Sequence, residues 1–243
     1  MTFNMAQYPR VILVILCSYT LPLLSLKESV ETIRKFSKKE LLGQINPASH
    51  SAFSEIPRHL CNRYGLYLRT EVLEAFLDLE KNAIDEGVNL KIISSTRSFN
   101  HQKRIWNGKW QQTKYMGWRE IEKAKDILKY SSMPGTSRHH WGTDIDLNSL
   151  ENEYFESGEG MNVYDFLERC GNELGFYQVY TNKTNGRTGY EEEKWHWSYM
   201  PISSIMLQEY NKIISSSDIS DFDGSNLAST INIIPNYVNG IEK

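Results

Sequence analysis

Short β-like stretches lie scattered between helical ones in this chain, and no strand–helix–strand rhythm joins them. That arrangement excludes a doubly wound parallel sheet and leaves an α+β fold with a small sheet. Val72, Phe76, Leu79 and Ala83 recur at helical spacing, with Thr70 as the predicted N-cap and Gly87 where a C-terminal cap belongs. NLKIISST (89–96) reads as a central or semi-buried strand, with Leu90 and Ile92 on one face and Lys91 and Ile93 on the other. SFNHQKRIWNGKW and WREIEKAKDILKY read as helices, GTDIDLN as β-like, and Val163 to Leu174 as an amphipathic helix ending at Gly175. FYQVY and KWHWSY read as strands, ISSIMLQEYNKII as the last helix, and a polar tail with few apolar clusters follows.

The N-terminus differs from the rest. VILVILCSYTLPLLSL is an apolar run too short for a membrane span, which needs ~20 residues, and it fits a secretory leader. Residues 1–26 are therefore expected to be a signal peptide or an N-terminal anchor, cleaved near Ser25 to Lys27 or retained, with Cys17 as a lipidation candidate. Residues 27–52 form a charged, helical lead-in, either a spacer or packed onto the domain that follows from 53 to 243. Cleavage would leave Cys61 and Cys170, as one disulfide or as two separate buried thiols. With a net charge of −3 and no basic stripe, nothing asks for a nucleic-acid partner.

Histidines carry the chemical signal. His50 and His59 read as structural or exposed, and His101 as an ordinary helix residue. SRHHWGTDID (137–146) is richer: His139 or His140 precedes a strand bearing Asp144 and Asp146, two apart and on one face. Far away, EEEKWHWSY places Glu193 three residues before His196. A hydrolytic zinc site needs three protein ligands, an open fourth position, and a carboxylate outside the ligand set to take a proton from water. Two neutral imidazoles and one carboxylate leave about one positive charge, enough to move water's pKa from ~15.7 towards ~7. One His, one Asp, the distant His196 and a spare Glu193 supply those parts. In a regular strand Glu193 would share the face of Trp195 and Trp197, opposite His196 and Ser198. Irregular backbone is therefore expected from Glu193 to Trp195.

These residues resemble a known family. SRHHWGTDID fits S-x-H-x-x-G-x-x-x-D, EKWH fits E-x-x-H, and STRSFNHQ fits an R-S-x-x-x-Q element, in that order. Together they are similar to the VanY-type zinc D-alanyl-D-alanine carboxypeptidases, relatives of D-Ala-D-Ala dipeptidases, L,D-carboxypeptidases and the hedgehog signalling domain. The similarity runs from about Phe53 to the C-terminus. It implies a small antiparallel sheet flanked by helices, with zinc in a cleft on the sheet. The implied ligands are His139, Asp146 and His196, with Glu193 as general base. Arg97 would bind the substrate carboxylate or steady the oxyanion, and Ser137 and Gln102 would orient the peptide. Trp195 and Trp197 would either wall the cleft or belong to the core. His140 and Asp144 are polar residues the shared pattern does not demand. His140 is expected outside the ligand set, and Asp144 behind a ligand or exposed. The implied reaction removes the C-terminal D-Ala from peptidoglycan stem peptides in the cell envelope. The alternatives are L,D-cleavage of tetrapeptide stems and a non-catalytic, zinc-containing wall-binding module.

Overall fold

A computed structural model describes residues 36–242, so the apolar leader and Cys17 lie outside the described residues. Among the described residues, no helix is long and apolar enough to cross a membrane.

Two small antiparallel sheets organise the chain. β1 (Phe53–Glu55) pairs with β2 (Tyr67–Arg69), and a four-stranded sheet runs β3-β4-β6-β5. Its strands are β3 (Ile92–Ser94), β4 (Asp144–Leu147), β5 (Phe176–Gln178) and β6 (His196–Tyr199). Helices α2 (Thr70–Asp85), α3 (Phe99–Trp110), α4 (Glu120–Ile127), α5 (Gly158–Phe166) and α6 (Met200–Ile213) surround it. The expected α+β class with a small antiparallel sheet and flanking helices is what the chain forms.

The register of β4 against β6 decides what the sheet can do. Ile145 faces Trp197 and both are wholly buried, whereas Asp146 faces His196 and Asp144 faces Ser198. Cross-strand partners share a face with Cβ atoms about 4.5–5.5 Å apart, so the pairing itself brings a carboxylate against an imidazole. A slip in β3 pairs Ile92 with Leu147 but Ser94 with Asp146, which carries the chain from the core face to the polar one.

Several local expectations change. β3 is an edge strand, so of the central and semi-buried alternatives the semi-buried one holds, and the strand covers only residues 92–94 of the expected stretch. Thr70 is not the N-cap: Arg69 holds that position, and the Thr70 hydroxyl lies 2.9 Å from Ser54 Oγ. Gly87 does end α2, at φ +73°. The helix expected over 163–174 is α5 extended by a π turn (Leu167–Gly171) and a 3-10 turn (Asn172–Leu174). The tail is not a polar appendage, because Ile219, Phe222, Ile231, Ile233, Val238 and Ile241 are buried in the core. Cys61 and Cys170 are both free; Cys61 is buried and its thiol donates to the Arg63 carbonyl, while Cys170 is only half-buried.

The described part of the lead-in packs onto the same body. Ser37 caps the four-residue helix α1 (Lys38–Leu41) in a capping box with Glu40. Phe36, Leu41 and Leu42 are buried, Trp141 Nε1 donates to the Leu41 carbonyl at 3.1 Å, and Phe99 N donates to the Gly43 carbonyl at 2.6 Å. Arg69, almost wholly buried, joins Glu40 Oε1 (3.1 Å) to the Trp141 carbonyl (2.7 Å). Residues 36–43 thereby brace the 3-10 turn Arg138–Trp141 that carries both adjacent histidines.

Gly43 has no room for a side chain. Its φ is +70°, and a Cβ there would sit 2.3 Å from His140 Nδ1. Left-handed strain of about 1–2 kcal/mol and overpacking of about 1–3 kcal/mol add at this position. Gly43→Ala should therefore lower the melting temperature by roughly 5–15 °C for a domain of this size. A thermal melt checks this, and a variant melting with the wild type would remove the proposed bracing.

Candidate metal centre

The polar face of the sheet opens into a cavity of about 640 Å³ that includes His139, Asp146, Glu193 and His196. One nitrogen from each of His139 and His196 and one oxygen of Asp146 lie within 4.8 Å of one another, and all three side chains are buried. Each comes from a different piece of local structure. Asp146 and His196 are cross-strand partners on β4 and β6, and His139 rides on the 3-10 turn that ends at Gly142. Gly142 has φ +73°, and a Cβ there would strike Phe53 at 2.3 Å, so only glycine lets the turn feed directly into β4.

The outer atoms of both imidazoles are fixed. His139 Nδ1 donates to the Ser95 carbonyl (2.9 Å), which leaves Nε2 as a lone pair 3.3 Å from Asp146 Oδ1. His196 Nε2 donates to Asp144 Oδ2 (2.9 Å), which turns Nδ1 towards Asp146 Oδ1, 3.1 Å away. Burial opposes the ring's charge, but Asp144 and Asp146 push its pKa up to about 9, so that a metal at this place would displace the Nδ1 proton. Two imidazole nitrogens and a carboxylate oxygen converge on one place, where a cation can take the position of the shared proton. The donor set, with its far nitrogens held by a carbonyl and a carboxylate, fits a zinc ion.

Asp144 has a more specific place than the sequence indicated. It is fully buried and accepts from Arg138 Nε (2.9 Å), Thr143 Oγ1 (2.6 Å), Ser198 Oγ (2.9 Å) and His196. Burial alone would raise its pKa, but Arg138 and His196 hold it well below the usual carboxylate range. Asp146 behaves likewise: burial opposes ionisation, and His139, His196 and Arg97 outweigh it. His140 stays outside the cluster. Its Nδ1 donates to the Arg97 carbonyl (2.7 Å), its Nε2 accepts from Gly135 N (3.0 Å), and burial pushes its pKa down to about 4.

Glu193 reaches the site through a break in regular structure. Lys194 and Trp195 form a turn before β6 starts, and His196 N donates to the Glu193 carbonyl at 3.2 Å. The turn places Glu193 Oε2 3.6 Å from His196 Nδ1, on the face that an unbroken strand would have denied it. Burial pushes the Glu193 carboxyl up to about 7, partly offset by His196.

Arg97 follows β3 and lies against the cluster. Nη2 donates to Asp146 Oδ2 (2.7 Å) and sits 3.2 Å from His139 Nε2, and Nε donates to Ser94 Oγ (3.0 Å). Gln102 is wholly buried behind it rather than lining the cleft, with Oε1 3.4 Å from Arg97 Nη1 and Nε2 donating to the Ser132 carbonyl (2.8 Å). Ser137 lines the cleft with a buried, unpartnered hydroxyl. Trp195 walls the cleft beside Tyr130, ring centroids 6.3 Å apart, whereas Trp197 is core.

Sequence reasoning missed several cleft residues, among them Tyr130, Tyr180, His101 and Lys109. Tyr180 packs its ring 4.5 Å from that of His196, and His101 and Lys109 line the cavity from α3. The spacing of 101, 105 and 109 along one helix face was the available signal.

The sequence matches the family model for VanY, D-alanyl-D-alanine carboxypeptidase, over residues 65–202, more than half of the chain. That match is shorter at both ends than the similarity expected from Phe53 to the C-terminus. A D-alanyl-D-alanine carboxypeptidase of Enterococcus faecalis (strain ATCC 700802 / V583) is 28% identical over 141 residues, 55% of this chain and 51% of that protein. YodJ of Bacillus subtilis (strain 168) is 28% identical over 137 residues, 55% of this chain and 46% of that protein. This chain thus spans about half the length of these curated relatives. Among solved structures, VanYB in complex with D-alanine-D-alanine is similar in fold, with a TM-score of 0.52 and 23% identity. The likeness covers 68% of this chain and 87% of that one. With the family model matched over more than half of its length, the chain belongs to the VanY family of D-alanyl-D-alanine carboxypeptidases.

Proposed function

We propose that this protein is a zinc-dependent D,D-carboxypeptidase that removes the C-terminal D-Ala from peptidoglycan stem peptides in the cell envelope. One observation carries the reading: Glu193 stands 3.6 Å from His196 in the cleft, outside the His139–Asp146–His196 donor set. A purely structural metal site has no use for such a carboxylate and fills its fourth position with a protein ligand. In this reading His139, Asp146 and His196 hold the zinc. When bound there, the ion would supply Lewis acidity and would lower the pKa of water.

The remaining steps belong to the chain. Glu193 takes the water's proton as the new C–O bond forms, then returns it to the amine as the C–N bond breaks. Burial has brought its carboxyl near neutrality, where a group can both accept and donate a proton. Arg97, steadied by Ser94 and Gln102, presents fixed positive charge beside the donor cluster, where an oxyanion develops. Trp195 and Tyr130 supply an aromatic wall for the peptide, and Ser137 a free hydroxyl. A stem-peptide substrate agrees with the apolar leader, which would export the protein to the envelope or anchor it there.

The test incubates the zinc-loaded full chain with a stem pentapeptide ending in D-Ala-D-Ala and, separately, with the corresponding tetrapeptide. Mass spectrometry should show loss of one D-Ala from the pentapeptide. Cleavage of the tetrapeptide alone would replace the reading with L,D-carboxypeptidase, and cleavage of neither would leave a wall-binding module. His139→Ala should lose zinc by more than the about 10–100-fold that removal of a supporting partner costs. Full metal occupancy in that variant would contradict the ligand role.

A further inference from the structure

His101, Ile105 and Lys109 stand at four-residue intervals on the face of α3 that lines the cleft. Lys109 is half-buried there. Its ammonium donates one hydrogen bond, to Ser131 Oγ at 2.7 Å, and forms no ion pair among the described residues. Four carboxylates border the same cavity, on Asp146, Glu151, Glu153 and Glu193; none forms a direct ion pair with Lys109 among the described residues, and Glu193 acts on its charge from a distance. A cation drawn out of water without a counter-ion is costly, and a bound anion offsets that cost.

Arg97 cannot fill every anionic role in this cleft. Its guanidinium is held by Ser94, Gln102 and Asp146, directly against the donor cluster. A C-terminal carboxylate lies one residue beyond the scissile carbonyl, about 3.5 Å farther along an extended peptide. Lys109 lines the same cavity as Arg97 and lies near enough for the Arg97 charge to act on it. Gln102 bonds Arg97 with its Oε1 and the Ser132 carbonyl with its Nε2, and the residue before Ser132 is the one that holds Lys109.

We propose that Lys109 receives the free C-terminal carboxylate of the substrate, so that Arg97 serves the oxyanion. This rests on the carboxypeptidase reading and deepens it, because it names the group that makes the enzyme act at chain ends. The direction of the Lys109 pKa agrees. Burial first, and Arg97 second, lower it from the ordinary lysine range, and the attraction of Glu193 offsets them only in part.

The test compares the dipeptide D-Ala-D-Ala with its C-terminal amide. Binding is measured by calorimetry on zinc-loaded full-length Glu193→Gln protein, with and without Lys109→Met. The parent should prefer the acid by about tenfold or more, the worth of one hydrogen bond to a charged group. Lys109→Met should bring the acid-to-amide ratio close to one, and Lys109→Arg should retain most of it. Circular dichroism confirms that each variant is folded. A parent without preference for the acid, or a preference that survives Lys109→Met, overturns the assignment. The pentapeptide assay answers the separate question of activity: turnover with an unchanged ratio removes Lys109 alone, and absence of turnover removes the carboxypeptidase reading while the binding ratio still decides Lys109.

Discussion

Glu193→Gln should lower turnover of the pentapeptide by about 10²–10⁴-fold, the usual worth of a positioned general base. It should leave zinc binding intact, because Glu193 lies outside the cluster formed by His139, Asp146 and His196. The substitution keeps the shape of the side chain and removes a buried charge, so the fold should not suffer. Glu193 N donates to the Tyr180 carbonyl at 2.9 Å, and the Gln178 amide approaches the Glu193 carbonyl at 3.3 Å. Those contacts use only backbone atoms of residue 193 and persist in the variant. Steady-state kinetics with metal analysis on the same preparation gives both readouts. Retained turnover removes Glu193 as the base; lost zinc would instead make it a ligand.

Asp144→Ala should be the most damaging change away from the cleft wall. Asp144 is the shared acceptor for Arg138, Thr143, Ser198 and His196, in a place water does not reach. Deleting it leaves the Arg138 guanidinium, itself 1% exposed, without its counter-ion. Breaking a buried pair in this way costs about 3–5 kcal/mol, or on the order of 10 °C in melting temperature. It also frees His196 Nε2, so the ring is no longer held with Nδ1 towards Asp146. Zinc affinity should fall by about 10–100-fold for that reason. Asp144→Asn keeps an acceptor for His196 but not the charge, and should lie between Ala and wild type on both scales. Calorimetric melts and zinc titration decide the matter. Wild-type values for Asp144→Ala would show that the network neither supports the fold nor orients the ligand.

Asp144 also marks where sequence reasoning stopped. Alternation puts Asp144 and Asp146 on one face, and nothing local distinguishes them. The difference arises because Asp146 pairs with His196 while Asp144 pairs with Ser198, and strand register is not written in either strand alone. Glu193 is the opposite case. Strand parity placed it on the wrong face for its implied role, which required a break before β6, and a turn occupies Lys194 and Trp195. The edge position of β3 was hidden for another reason: side chains alternate alike on edge and central strands, and only neighbours reveal the difference. The C-terminal segment misled through its lack of period. Ile219, Phe222, Ile231 and Val238 are spaced by turns and short 3-10 and π stretches rather than by a regular α-helix or strand, yet all are buried. Lys109 belongs to no motif and became visible only once α3 was seen to border the cleft.

The pairing of Ile145 with Trp197 has a consequence beyond the core. Slipping β6 by one residue against β4 would turn Trp197 into the cleft and His196 into the apolar interior. Side chains that never meet a substrate thus act as the jig in which the metal donors are aligned, and a wrongly registered sheet is rejected before any ion arrives. Chemistry and stability occupy opposite faces of the same two strands. The walls contributed by α3 and by the segment around Tyr130 can therefore change to suit another peptide end while the donors between them stay in place.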